Sequence, residues 1–326
     1  MKGSVLVTGA AGFIGSHLVG RLLHLGYQVV GLDNFDNFYD PAIKQENIRP
    51  LVEDGGCRII RGDIRDAGLL SRIFSEYDIR LVTHLAARAG VRPSLQHPIL
   101  YQDVNIGGTI NLLEISRASG VRQFVFASSS SVYGLGTPVP FNEEAKVDFP
   151  TSPYAASKAS AELFCRTYSH LYGLPVKALR LFTVYGPRQR PEMAIHLFTR
   201  KIEKGEEIPI YGDGTSQRDY TYIDDIIDGI VGALMDQSQA FEIFNLGDSN
   251  PVPLHYLIQL IEESLSKRAK LKKLPVQPGD VPITFADINK AETRFGYKPK
   301  ITIEEGIDLF VHWYRKSVHS LTNSLA

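Results

Sequence analysis

Apolar and polar positions alternate along the chain with two periods. The run SVLVTG is apolar almost throughout, and the segment from Gly12 to Leu25 that follows it carries apolar residues at three- and four-residue spacing. The same couplet recurs. Short β-branched runs QVVGLD, CRIIRGD, RLVTHLAA, QFVFAS and VKALRLF read as strands, and the segments from Asn105 to Ser119 and from Tyr154 to Tyr172 read as amphipathic helices. Strands that are apolar along their whole length and separated by helices belong to a parallel sheet covered on both faces. The expected fold class is therefore α/β, a Rossmann-type doubly wound parallel sheet.

After VKALRLF the rhythm breaks. A loop rich in Pro and Arg (TVYGPRQRPEM) leads to a helix near Ala194 to Lys204, then to the turn-rich YGDGTSQRDYTYIDD and to helices at 223–235 and 254–266. FEIFNLG at 241–247 reads as one more strand rejoining the main sheet, and Ile303 to Lys316 as a closing amphipathic helix. These features divide the chain into a nucleotide-binding domain, 1–182 with a returning segment near 222–248, and a smaller, discontinuous C-terminal substrate lobe, 183–221 and 249–326. A chain of 326 residues is long enough for one large core with an appended lobe.

Composition narrows the chemistry mainly by exclusion. With 35 basic and 36 acidic residues, a formal net charge of -1 and no long like-charge block, the chain lacks the electrostatic footprint of a nucleic-acid binder. Its two cysteines, Cys57 and Cys165, are far apart and read as small apolar residues, and the nine histidines show no metal-binding spacing, so no metal is expected. No stretch approaches the roughly eighteen apolar residues of a membrane helix, and a strand pattern starts almost at once. A soluble, cytoplasmic protein is the expectation.

Gly9, Gly12 and Gly15 fall between the first strand and the first helix, where glycines allow a tight turn, a close approach of pyrophosphate to backbone, and close helix-strand packing. The second strand ends at Asp33, about twenty residues on, where a carboxylate can bind a ribose hydroxyl or serve as an ordinary turn residue. Asp33 and Asp36 would repel a 2′-phosphate and no arginine adjoins them in sequence, which favours NAD over NADP. Asp63, in RGDI after the third strand, is a second candidate, either for the adenine amine or as a helix cap.

Tyr154 and Lys158, four apart in SPYAASK, share one face of a helix. A phenol with an ordinary pKa of about 10 needs a shift of roughly three units to act as a base near neutrality, and a neighbouring ammonium with a positive nicotinamide ring would supply it. Four serines, Ser128 to Ser131, follow the strand QFVFA at what should be the mouth of the core.

The glycine turn, the serine-bearing strand end, Y-x-x-x-K and a C-terminal lobe together resemble the extended short-chain dehydrogenase/reductases. The stretches DNFDNFYDP, AARAGVRPS, SSSSVYG, FTVYGPRQRPEMAI and GDGTSQRDYTYIDD are similar to those of UDP-glucuronate 4-epimerases, through nearly the whole chain to QPGDVPITFAD. The resemblance implies tightly bound NAD, a UDP-glucuronate/UDP-galacturonate substrate pair, and a homodimer through the helices at 105–119 and 154–172. It implies catalysis by Tyr154, Lys158 and Ser129. It also implies cofactor contacts from Gly9, Gly12, Phe13, Ile14, Gly15, Asp33, Asn34, Asp63, Ile64, Leu85, Ala86, Ala87 and Asn105. Similar dehydratases and decarboxylases carry acids at the positions of Ser130 and Ser131, so two neutral hydroxyls there, with Thr183, suit a cradle for the sugar carboxylate. A hydroxyl-rich strand end bonding to its own backbone is the plainer alternative. Arg190 would face the carboxylate or the phosphates, and Arg218 the diphosphate. Asp280 would take the uridine ribose, and Tyr211 joins the substrate contacts. Arg88 and Arg92 follow the fourth strand, with structural and ligand roles both open. A decarboxylase, an epimerase of neutral UDP-sugars and a non-catalytic NAD-sensing protein remain alternatives on the same frame.

Overall fold

Six of the expected strands are β1 (Ser4–Thr8), β2 (Val29–Asp33), β3 (Cys57–Arg61), β4 (Ile79–His84), β5 (Gln123–Ser129) and β6 (Val176–Leu181) in the computed structural model, which describes residues 4–53, 55–276 and 279–323. Gln277 and Pro278 of the QPGDVPITFAD stretch, and the last three residues of the expected C-terminal lobe, lie outside the described residues. With Glu242–Leu246 the six build one seven-stranded sheet, in the order Glu242–Leu246, β6, β5, β4, β1, β2, β3, and every neighbouring pair is parallel. β1, β5 and β6 are buried at every position. Their side chains divide by the period of two: Val5, Val7, Val125 and Ala127 pack into the core on one face, Leu6, Phe124 and Phe126 into the core on the other. Chain order reverses between β1 and β4, the kind of switch point beyond whose strand ends open α/β sheets bind their ligands.

Smaller sheets stand beyond this edge. Thr183–Tyr185 pairs in parallel with Gln217–Tyr222, which pairs antiparallel with Pro251–Pro253, while Glu207–Tyr211 pairs with Lys270–Leu274. The segment expected to be turn-rich thus contains a strand. Its turn residues, Gly212 and Gly214 at φ +72 and +83, come first, and the aromatic and Thr positions of QRDYTY then suit a pleated surface. The helix expected from Asn105 begins instead as a π-helical turn, Gln102–Gly107, and continues as Gly108–Ala118. A Cβ on Gly108 would lie 2.4 Å from Ile64 Cδ1, so this helix packs closely on the Ile64 side chain after β3. Among the described residues no helix is long and apolar enough to cross a membrane.

Candidate functional site

The chain leaves β1 through Gly9, at φ +71, and enters the helix Phe13–His24. A Cβ on Gly9 would stand 2.9 Å from the Ala86 amide nitrogen, and one on Gly15 only 2.0 Å from the Gly9 carbonyl oxygen. Turn, helix and β4 loop therefore pack backbone against backbone. Gly12 caps the helix without a side-chain bond and the first turn holds no acid, so its amide hydrogens and positive end are open to an anion. Phe13 is buried in the core and Ile14 half-buried.

At the end of β2 the buried Asp33 carboxylate accepts the amide hydrogens of Ala11 (3.1 Å) and Phe35 (2.8 Å) and pairs with Lys44 Nζ at 3.3 Å. The acidic pair does have cations close by, which linear sequence did not disclose: Lys44 reaches Asp33 from the helix Pro41–Glu53, and Arg88 pairs with Asp36 from the far side of the switch point. Asp63 accepts from Asn34 Nδ2 at 3.0 Å and from the Arg65 guanidinium, which holds it down at about 2. It is not a helix cap. Asp66 has that role, accepting the Leu69 amide.

Leu85, Ala86 and Ala87 are half-buried after β4. Behind them, Ala86 N–H donates to Thr8 Oγ1, Thr8 Oγ1 lies 2.8 Å from His84 Nδ1, and His84 Nε2 lies 2.9 Å from Thr109 Oγ1. Because Thr109 donates to the Asn105 carbonyl, His84 must be the neutral Nε2–H tautomer, and burial holds its pKa at about 3. Asn105, expected against the cofactor, is buried and spends its amide on the protein. It accepts from Arg88 N–H and donates to the Arg88 carbonyl and to Ser157 Oγ, clamping the β4 loop to the next helix.

That helix, Pro153–Tyr172, is capped by Ser152 and carries Tyr154 and Lys158 one turn apart. Lys158 Nζ donates to the Ala127 carbonyl at 2.7 Å. Burial brings it down to about 8, with Cys165 and Glu162 acting in the opposite direction. The phenol of Tyr154 is raised by burial, against lowering by the Ser129 hydrogen bond and by Arg190. Two further aromatics frame this end that no sequence motif singled out by number. The Tyr101 ring meets Tyr154 edge-on at 6.2 Å, and Phe38 lies beneath both Arg88 (5.0 Å) and Arg190 (5.7 Å).

The four serines do not act alike. Ser128 turns into the core and donates to Glu162. Ser129 Oγ accepts the Ser131 amide (3.2 Å), lies 3.1 Å from Ser131 Oγ, and bonds to Tyr154. Ser130 and Ser131 open a single 3-10 turn, half-buried, as is Thr183 at the start of its short strand. Arg92, after β4, lies over the Tyr211 ring at 4.2 Å and pairs with Asp280 at 3.0 Å, so three residues far apart in sequence form one cluster. Arg218, half-buried on Gln217–Tyr222, donates to the Gln217 carbonyl at 2.8 Å.

The family described as GDP-mannose 4,6 dehydratase matches residues 6–310. The UDP-glucuronate 4-epimerase of Thermodesulfobacterium geofontis is 44% identical over 317 residues, 97% of either chain, and UDP-glucuronate 4-epimerase 2 of Arabidopsis thaliana is 45% identical over 95% of this chain and 75% of its own. The crystal structure of the UDP-glucuronic acid 4-epimerase from Bacillus cereus, in complex with UDP-glucuronic acid and NAD, superposes with a TM-score of 0.91 at 38% identity, covering 96% of this chain and 99% of that one. The chain belongs to the UDP-glucuronate 4-epimerase family of extended short-chain dehydrogenase/reductases.

Proposed function

We infer that this chain interconverts UDP-glucuronate and UDP-galacturonate by epimerisation at C4, with NAD retained through the cycle. The observation that carries the reading is the meeting of buried Ser129 and Lys158 with half-buried Tyr154 at the carboxyl end of β5, beside an uncapped glycine turn that fits a pyrophosphate. Gly9, Gly12 and Gly15 give the dinucleotide its backbone approach, Asp33 held by Lys44 its ribose contact, and Asn34, Asp63 and Ile64 its adenine wall. Asn105 keeps Leu85–Ala87 in place. We assign 1–182 with the return near 222–248 to that cofactor and the remaining lobe to the UDP-sugar.

NAD when bound supplies the oxidant that takes a hydride from C4 and gives it back to the opposite face, and a positive ring charge beside the phenol. Tyr154 accepts the C4 hydroxyl proton and returns it, Ser129 hydrogen-bonds the same oxygen, and Lys158 holds the strand carbonyl and the charge of the site. Ser130, Ser131, Thr183 and Arg190 orient the C6 carboxylate. Arg218 neutralises the diphosphate, while Arg92, Tyr211 and Asp280 close on the uridine end.

Purified protein incubated with UDP-glucuronate and no added cofactor should yield UDP-galacturonate by proton NMR. A UDP-pentose as the main product would instead make it a decarboxylase, and turnover of UDP-glucose alone a neutral-sugar epimerase. The helix Pro153–Tyr172 exposes Leu163 at 66% and Leu171 at 60%, which supports a homodimer through this face, testable by sedimentation. Two free, buried cysteines suit a reducing compartment such as the cytoplasm.

A further inference from the structure

Ser128 is the serine that the chemistry above leaves unused. Its hydroxyl donates to Glu162, whose two oxygens also receive Arg180 Nε at 3.0 Å and Nη2 at 2.8 Å. Glu162 and Arg180 are 4% and 1% exposed. The other side of the Arg180 guanidinium lies 4.7 Å from the Tyr133 ring, and Tyr133 is itself fixed by its hydroxyl bond to Asn245 at 2.7 Å. Ser128 and Tyr133 bracket Ser129–Val132. One ion pair therefore grips the catalytic serine turn immediately before its first hydroxyl and just after its last. A buried pair of this kind contributes little net stability once desolvation is counted, so its worth lies in fixing geometry.

We propose that Glu162 and Arg180 are positioning residues which, through Ser128 and Tyr133, hold the Ser129–Ser131 turn so that the sugar carboxylate stays where it cannot leave. This rests on the functional reading above. Oxidation at C4 makes a ketone β to the C6 carboxylate. If the C5–C6 bond rotates parallel to the carbonyl π system it breaks, its electron pair forming the enolate on C5, C6 departing as carbon dioxide, and a proton adding at C5. A turn held from both ends keeps the hydroxyls directed at the carboxylate and prevents that rotation. A loosened turn does not.

The test measures product partition, which a merely structural residue would not move. Ser128→Ala removes one hydroxyl and keeps the carbon packing, and Glu162→Leu combined with Arg180→Met replaces the pair by apolar groups of similar size. Each is incubated with UDP-glucuronate, and the UDP-pentose and UDP-4-keto-pentose fraction of all products is read by proton NMR, with the melting temperature beside it. The fraction should rise about tenfold over wild type in both, the order expected when a hydrogen bond to a charged group is lost. Adding Ser128→Ala to the double variant should change the partition no further, because both act through one contact. Clean epimerisation by wild type with unchanged partition in Ser128→Ala overturns the clamp alone. Failure of wild type to make UDP-galacturonate overturns the functional reading and the clamp with it.

Discussion

Alanine placed at three glycines of one helix should give three different results, ordered by distance alone. At Gly15 the new methyl would lie 2.0 Å from the Gly9 oxygen, 2.8 Å from its carbonyl carbon and 2.9 Å from Ala10 Cα. All three are backbone atoms, so no rotamer relieves the overlap, and the oxygen contact falls about 1 Å short of the closest real approaches, near 3.0 Å. The helix start must move outward by that amount. Overpacking of this size costs about 3 kcal/mol. It displaces the amide groups proposed to meet the pyrophosphate, and NAD retention should fall at least about tenfold, the equivalent of roughly 1.4 kcal/mol of binding. At Gly12 the contact is 3.2 Å to the same oxygen, and at Gly20 it is 3.5 Å to the flexible Leu51 side chain. Gly12→Ala should cost about 1 kcal/mol as a poorer cap. Gly20→Ala should stabilise by about 1 kcal/mol, the ordinary gain of alanine over glycine inside a helix. The assay is bound NAD per chain, released by acid and quantified by chromatography, with urea midpoints alongside. Wild-type NAD content and stability in Gly15→Ala, or a loss in Gly20→Ala equal to it, would refute the steric argument.

Further expectations follow from individual groups. Tyr154→Phe should lower epimerisation by about 10³-fold, the usual range for a positioned acid-base group, with UDP-sugar affinity kept by calorimetry; retained turnover would remove Tyr154 from its role. Burial puts Lys158 at about 8, so its charge, and the rate with it, should fall as pH rises through that value; an alkaline limb only above about 10, where an ordinary lysine titrates, would contradict the placement. Burial also depresses His84, to about 3 from an ordinary 6.5, so between these values the unfolded chain binds more protons and stability is lost as pH falls. That loss should run at about 1.4 kcal/mol per pH unit from this residue, and His84→Gln should flatten the urea-midpoint profile between pH 6.5 and 4 accordingly.

Much of the fold was readable because it depends on local pattern. Fully apolar strands between amphipathic helices can be covered only in a parallel sheet, and FEIFNLG was recognisable as a returning strand by composition. The positions of the glycine turn, of Asp33 at a strand end and of Tyr154 and Lys158 on one helix were likewise legible, since each depends on spacing within local sequence. QRDYTY was read as part of a turn because Gly212 and Gly214 dominate the neighbouring sequence, although the strand residues begin only after them.

Tertiary structure decided how charges and hydroxyls pair. Lys44 on Asp33, Arg88 on Asp36, and Arg92 with Tyr211 and Asp280 join positions between 11 and 188 residues apart, and no local period encodes such meetings. The same holds for the four serines. Sequence placed them at a strand end, where alternation and the following turn send them in different directions, but which one turns into the core depended on Glu162, paired with Arg180, lying against Ser128. Periodicity determines which face of its own element a side chain occupies, and only the packing of distant elements determines what waits on that face.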